Sequence, residues 1–189
     1  MEENAMTMAV DVAQKKNSDI HAGGMLSDSD QYLTFIMNGE EYGVDILCVQ
    51  EIRGWDNATP LPNAPAHIKG VINLRGTIVP IIDLRQCFGM GGIDYTSITV
   101  VIVLKFNTDK GSRTVGIVVD AVSDVYSLSE SEMKMPPDLG ESIDVSYIKG
   151  LVTVNGKMVI LLRLDKLLES SALQHVDMSA ALSGVSQCH

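Results

Sequence analysis

The apolar positions of this chain fall into short β-branched runs separated by turn residues, the pattern of strands rather than helices. "QYLTFIMNGEEYGVDI" places two such runs on either side of Asn38-Gly39. That dipeptide favours a two-residue hairpin, because both central positions need φ > 0. "ILCVQEIRGW" continues the apolar pattern, and "DNATPLPNAPAH" breaks it with three prolines. "IKGVINLRGTIVPIIDL" is again run, turn and run, while "SITVVIVLKF" is unbroken and predicts a strand buried on both faces. The polar loop "NTDKGS" leads into "RTVGIVVDAVSDVYSL", and "SESEMKMPPDLGESIDV" is acidic and interrupted by prolines. "YIKGLVTVNGKMVILLRLDKLL" closes the β-rich part, "LDKLLESSALQHV" predicts a terminal helix, and the last dozen residues read as frayed. Residues 1–29 show no sustained apolar period and read as a flexible tail. The chain is therefore mainly β, with barrels or sandwiches as the fold class and little helix.

An internal repeat narrows this. "IKGVINLRGTIVPIIDL" from residue 68 aligns with "IKGLVTVNGKMVILLRL" from residue 148, an offset of 80. "YGVDILCVQEI" (42–52) echoes "VGIVVDAVSDV" (115–125), with Gly43 opposite Gly116. Glycines in strands mark close backbone approach or a sharp bend. Two related β-units in tandem predict two similar barrels packed together, each finishing part of the other's core. The division between them is expected near 93–97, with room for strands to exchange.

The repeat also locates a charge. Arg75 sits in a run of Val, Ile, Leu and Pro, where an unpaired guanidinium would cost several kcal/mol, roughly, to desolvate. Its counterpart is Asn155 of the Asn-Gly turn in the second copy, so Arg75 is expected at a hairpin tip. Asn suits such a turn better than Arg. Two uses of the arginine stand open: bidentate recognition of a carboxylate or carbonyl array, or pairing with a nearby acid such as Glu51.

Composition excludes more than it selects. The 189 residues are 46% hydrophobic and 20% charged, enough for a real core in one or two small domains. A net charge of −10 and a pI of about 4.7 give no basic field for nucleic acid. No apolar run approaches the roughly 20 residues that span a bilayer, and the acidic start does not read as a secretory leader. Cys48, Cys87 and Cys188 show no paired or metal-like spacing, which predicts reduced thiols in a cytoplasm. His67 alone among the histidines falls in the ordered part, and no zinc spacing, nucleophile elbow, phosphate loop or HExxH pattern occurs. "FGMGGIDY" reads as a linker, and Asp83 and Asp120 as turn caps at strand ends. No cofactor or metal is expected. Interaction surface remains, and Val49, Ile52 and Trp55 beside the proline-rich loop are candidates for an exposed apolar strip flanked by Glu51 and Arg53. A strand with one inward face would give the same letters.

"EEYGVDILCVQEIRGW", "NAPAHIKGVINLRGTIVPIIDLR", "TVVIVL" and "VGIVVDAVSDVYSL" closely resemble the CheW family of chemotaxis coupling proteins, from about Gln31 to Leu168. The resemblance implies two SH3-like five-stranded β-barrels over residues 30–170, with a tail at 1–29 and a helix end and tail at 171–189. It further implies a non-enzymatic, cytoplasmic scaffold recruited to membrane-associated receptor arrays, monomeric alone and ring-forming with its kinase. The partners so implied are the chemoreceptor cytoplasmic hairpin tip and the regulatory domain of a CheA-type histidine kinase. Service in a non-flagellar chemosensory pathway is the alternative. Residues matching the family's receptor groove, which lies between the barrels, are Val49, Glu51, Ile52 and Arg75. Those assigned to the kinase contact are Gly70, Val100, Gly116 and Val125, although both valines also suit a core role.

Overall fold

The computed structural model describes residues 29–90, 94–108, 111–137 and 145–169. The expected tails and the helix beyond Glu169 lie outside the described residues. Strands β1 (Ser29–Met37) and β2 (Glu40–Asp45) form the first hairpin, and a 3-10 turn (Ile46–Cys48) leads to β3 (Val49–Gly54). Hairpin β4 (Ile68–Leu74) and β5 (Thr77–Asp83) runs into the short helix α1 (Leu84–Cys87). The second half repeats the plan with β6 (Val100–Thr108), β7 (Gly111–Val119), β8 (Ala121–Ser129), β9 (Ile148–Val154), β10 (Lys157–Leu162) and helix α2 (Leu164–Glu169).

The expected tight turns are present. Asn38, Arg75 and Asn155 have φ of 52, 50 and 51°, each followed by a glycine with positive φ. All three are therefore the mirror-image turn that suits the twist of a hairpin.

The ten strands make two five-stranded sheets, β8-β1-β2-β10-β9 (sheet 1) and β3-β6-β7-β5-β4 (sheet 2). Each repeat gives its first two strands to one sheet and its last three to the other. The expected division near 93–97 thus falls between β5 and β6, both strands of sheet 2. The chain crosses between sheets at the 3-10 turn and again at Asp120, between β7 and β8. The repeats join through parallel pairs, β2 with β10 and β5 with β7, where Gly43 lies opposite Leu161 and Gly116 opposite Ile81. A Cβ on Gly43 would stand 2.8 Å from Leu161 Cδ2, and one on Gly116 2.5 Å from Ile81 Cδ1. Both glycines make room for the side chain of the partner strand.

Chain beyond the edge strands bridges each sheet back on itself. After β3, Thr59 and Val71 exchange two backbone hydrogen bonds of 2.9 Å; after β8, Lys134 and Leu151 exchange two of 2.8 Å. These bridges sit at equivalent places in the repeats and draw each sheet toward a barrel.

Three apolar clusters follow from this topology. Tyr32, Leu128, Val152, Val159 and Leu161 fill sheet 1, and Val79, Ile81, Val101, Val103 and Val118 fill sheet 2. The largest cluster draws on both sheets, including Phe35, Val44, Ile102, Leu104 and Ile117, with Leu164 and Leu167 of α2. Strand β6 contributes alternately to the second and third of these, which is why its sequence is apolar without a break.

Candidate functional site

A groove of about 450 Å³ opens at one end of sheet 2. Its walls are Leu47, Val49, Gln50 and Glu51 on one side and Leu74 and Arg75 of the β4–β5 tip on the other, with Lys105, Phe106 and Asn107 of β6 between them. The groove is lined by sheet 2 and the crossover turn, so it is not a cleft with one wall from each barrel. Register explains its make-up. Val49 pairs with Leu104 and Ile52 with Ile102, and the shift between Val49 and Glu51 leaves Gln50 as an extra residue. This bulge lets two apolar residues three positions apart address the same core.

Of the four residues matched to a receptor contact, three meet in this groove. Arg75 Nη2 lies 3.2 Å from Glu51 Oε2, with the arginine side chain 86% exposed and the glutamate 26%. Val49 lines the groove while packing partly against the shared core. Ile52 does not join them: it is 9% exposed and belongs to the core between the sheets. The expected exposed strip is therefore corrected at Ile52, because the bulge turns that side chain inward.

The residues matched to a kinase contact are mainly internal. Gly70 has φ of 132°, and a Cβ there would stand 2.1 Å from the Thr59 carbonyl oxygen, at the bridge that draws sheet 2 together. Gly116 lies against Ile81 and Val101, Val100 is buried in the shared core, and Val125 packs on that core from β8. Of the four, Val125 alone keeps a partly exposed side chain.

A buried charge cluster lies apart from the groove. Asp83, fully buried, caps α1 by accepting from the backbone N–H of Arg85 and Gln86, and it accepts from the Tyr95 hydroxyl at 2.9 Å. Burial, then the hydrogen bond and charge of Asp83, push the Tyr95 phenol well above its ordinary value, which keeps it a donor. Arg85, 6% exposed, pairs with Asp120 across 35 residues of sequence. The other oxygen of Asp120 accepts from the backbone N–H of Asn38 at 2.7 Å. Asp83 is thus the expected cap, and Asp120 is more than that: it ties sheet 2 to the first hairpin of sheet 1. The partnership could not be read from spacing. Tyr95 also stacks on Trp55 at a centroid distance of 4.6 Å, with Lys69 over its ring. Trp55 belongs there and not to the groove.

Among the described residues, no group of three or more His, Cys, Asp or Glu side chains is placed to hold a metal ion. Among them too, no helix is long and apolar enough to cross a membrane.

The family model for the CheW-like domain matches residues 31–172. The chain belongs to the CheW-like family. CheW relatives include the chemotaxis protein CheW of Klebsiella aerogenes, 49% identical over 147 residues that cover 78% of this chain and 86% of that protein. The CheW of Rhizobium meliloti is 39% identical over 74% of this chain and 88% of its own. In structure, the scaffolding protein TtCheW from Thermoanaerobacter tengcongensis matches with a TM-score of 0.67 and 31% identity, over 76% of this chain and 95% of that one. CheW proteins are non-enzymatic scaffolds of chemotaxis, and this chain shares their mainly β fold of two five-stranded units.

Proposed function

We propose that this chain couples the cytoplasmic hairpin tips of chemoreceptors to the regulatory domain of a CheA-type histidine kinase, in cytoplasmic arrays recruited to the membrane. The observation that carries the reading is the meeting of Val49, Glu51 and Arg75 in one groove. An apolar wall beside a polar pair on a rigid tip suits a helix laid into a groove, with Arg75 bonding polar groups of the hairpin. Gly70, Val100, Gly116 and Val125 support the kinase-facing surface by holding the backbone of sheet 2, β8 and the shared core. The protein is monomeric alone and joins the kinase in rings.

A relative named Protein FrzA, from Myxococcus xanthus, is 27% identical, against 49% for the Klebsiella CheW. The relatives named chemotaxis protein CheW, at 49% and 39% identity, support the chemotaxis reading. The deciding experiment reconstitutes receptor and kinase with and without this chain and measures kinase activity. The chain should bring the kinase under receptor control; unchanged control overturns the reading.

A further inference from the structure

We propose that Leu47 and Lys105 are contact residues of the groove, selecting a receptor hairpin whose docking helix carries an apolar side chain and a carboxylate. This rests on the receptor-docking reading above.

Leu47 is 89% exposed, and the local structure holds it that way. The Asp45 carboxylate accepts from the Leu47 backbone N–H at 2.8 Å and caps the 3-10 turn. Its neighbours Ile46 and Cys48 pack on the shared core, so the turn leaves the middle side chain outside. A leucine fixed in water beside Val49 and Leu74 gains by being covered.

Lys105 follows from strand alternation. Val101 and Val103 fill the interior of sheet 2, and the next residue on that face of β6 reaches the end of the sheet, where it is exposed and lines the groove. Lys105 has no ion pair among the described residues, whereas Arg75 is paired with Glu51. The ionic side chains of the groove are thus Arg75, Lys105 and Glu51, a local positive excess on a chain of net charge −10. An acidic partner is repelled by the protein as a whole and attracted here, which fixes where it docks. A groove of about 450 Å³ suits one row of helix side chains, and on that ground the occupant proposed is the receptor hairpin.

The test titrates a fluorescently labelled receptor cytoplasmic fragment with the full chain and its Leu47→Gln, Lys105→Gln, Lys105→Glu and Arg75→Glu variants, at low and high salt. Circular dichroism confirms folding of each. Leu47→Gln should weaken binding roughly tenfold. Lys105→Gln should weaken it roughly two- to fivefold at low salt and less at high salt, with Lys105→Glu weaker still. A parallel titration with the kinase regulatory domain should show no change for either residue. Receptor binding that Arg75→Glu weakens, but that the Leu47 or Lys105 variants leave untouched, overturns the assignment of that residue alone. Loss confined to kinase binding overturns it too. No binding by the unaltered protein overturns the docking reading and this inference together.

Discussion

Arg75 and Glu51 meet at 3.2 Å across the mouth of the groove, on a turn whose counterpart in the second repeat carries Asn155. An exposed pair of this kind contributes about 0–1 kcal/mol to stability. Arg75→Asn restores the better turn residue at a φ of 50°. Thermal melts should therefore show the variant as stable as the parent or slightly more so. Arg75→Glu should keep the fold and weaken receptor binding by about 1–3 kcal/mol. A large drop in Tm for either variant would show that the arginine serves the fold.

The glycines of the two bridges should differ in tolerance. Gly70→Ala places a Cβ 2.1 Å from a carbonyl oxygen at positive φ, and strain of that order costs about 3 kcal/mol or more. At Gly150 the nearest atom is 3.3 Å away in the Met133 side chain, and alanine should cost about 1 kcal/mol or less. Urea melts of both variants measure the difference. If Gly70→Ala lost kinase binding at full stability, Gly70 would be a contact and not a support.

Removing Asp120 leaves Arg85 as a buried charge with its principal partner gone. Asp120→Ala should cost about 3–5 kcal/mol in urea melts, while the double variant Arg85→Met with Asp120→Ala should recover only part of the loss, because Arg85 Nε also lies 3.8 Å from the buried Asp83 carboxylate. Hydrogen exchange at the Asn38 amide should speed up in both, since that N–H donates to Asp120. Slow exchange there would mean that the first hairpin does not depend on the tie.

Burial, and then the charge of Asp83, push the Cys87 thiol up to about 12. An ordinary thiol titrates near about 8.5, so the fold favours the neutral form. The associated stability is whole below about pH 8.5 and is lost as pH rises through the folded value. Native alkylation at pH 8, followed by peptide mapping, should leave Cys87 unmodified until the protein is unfolded by urea. Rapid labelling of the native protein would contradict this environment.

What could be read from the letters was local. The three tight turns follow from Asn-Gly pairs and from the repeat that places Arg75 opposite Asn155. The two-sided burial of β6 follows from its unbroken β-branched run. Long-range partnerships could not be read so. That β3 pairs with β6, or that Arg85 finds Asp120, depends on how sheets close in space, and neither partner marks the other in sequence. The groove was only half legible for the same reason. A bulge at Gln50 carries Ile52 inside, against the expected exposed strip, and a capped 3-10 turn carries Leu47 outside, against what its hydrophobicity suggests.

The exchange of strands also sets an order in time. Sheet 2 is one continuous stretch from β3 to β7, whereas sheet 1 needs β1 and β2 from before that stretch and β8 to β10 from after it. During synthesis the groove-bearing sheet is complete once residue 119 has left the ribosome. The first hairpin gains its sheet neighbours β8 and β10 only after that stretch has been made.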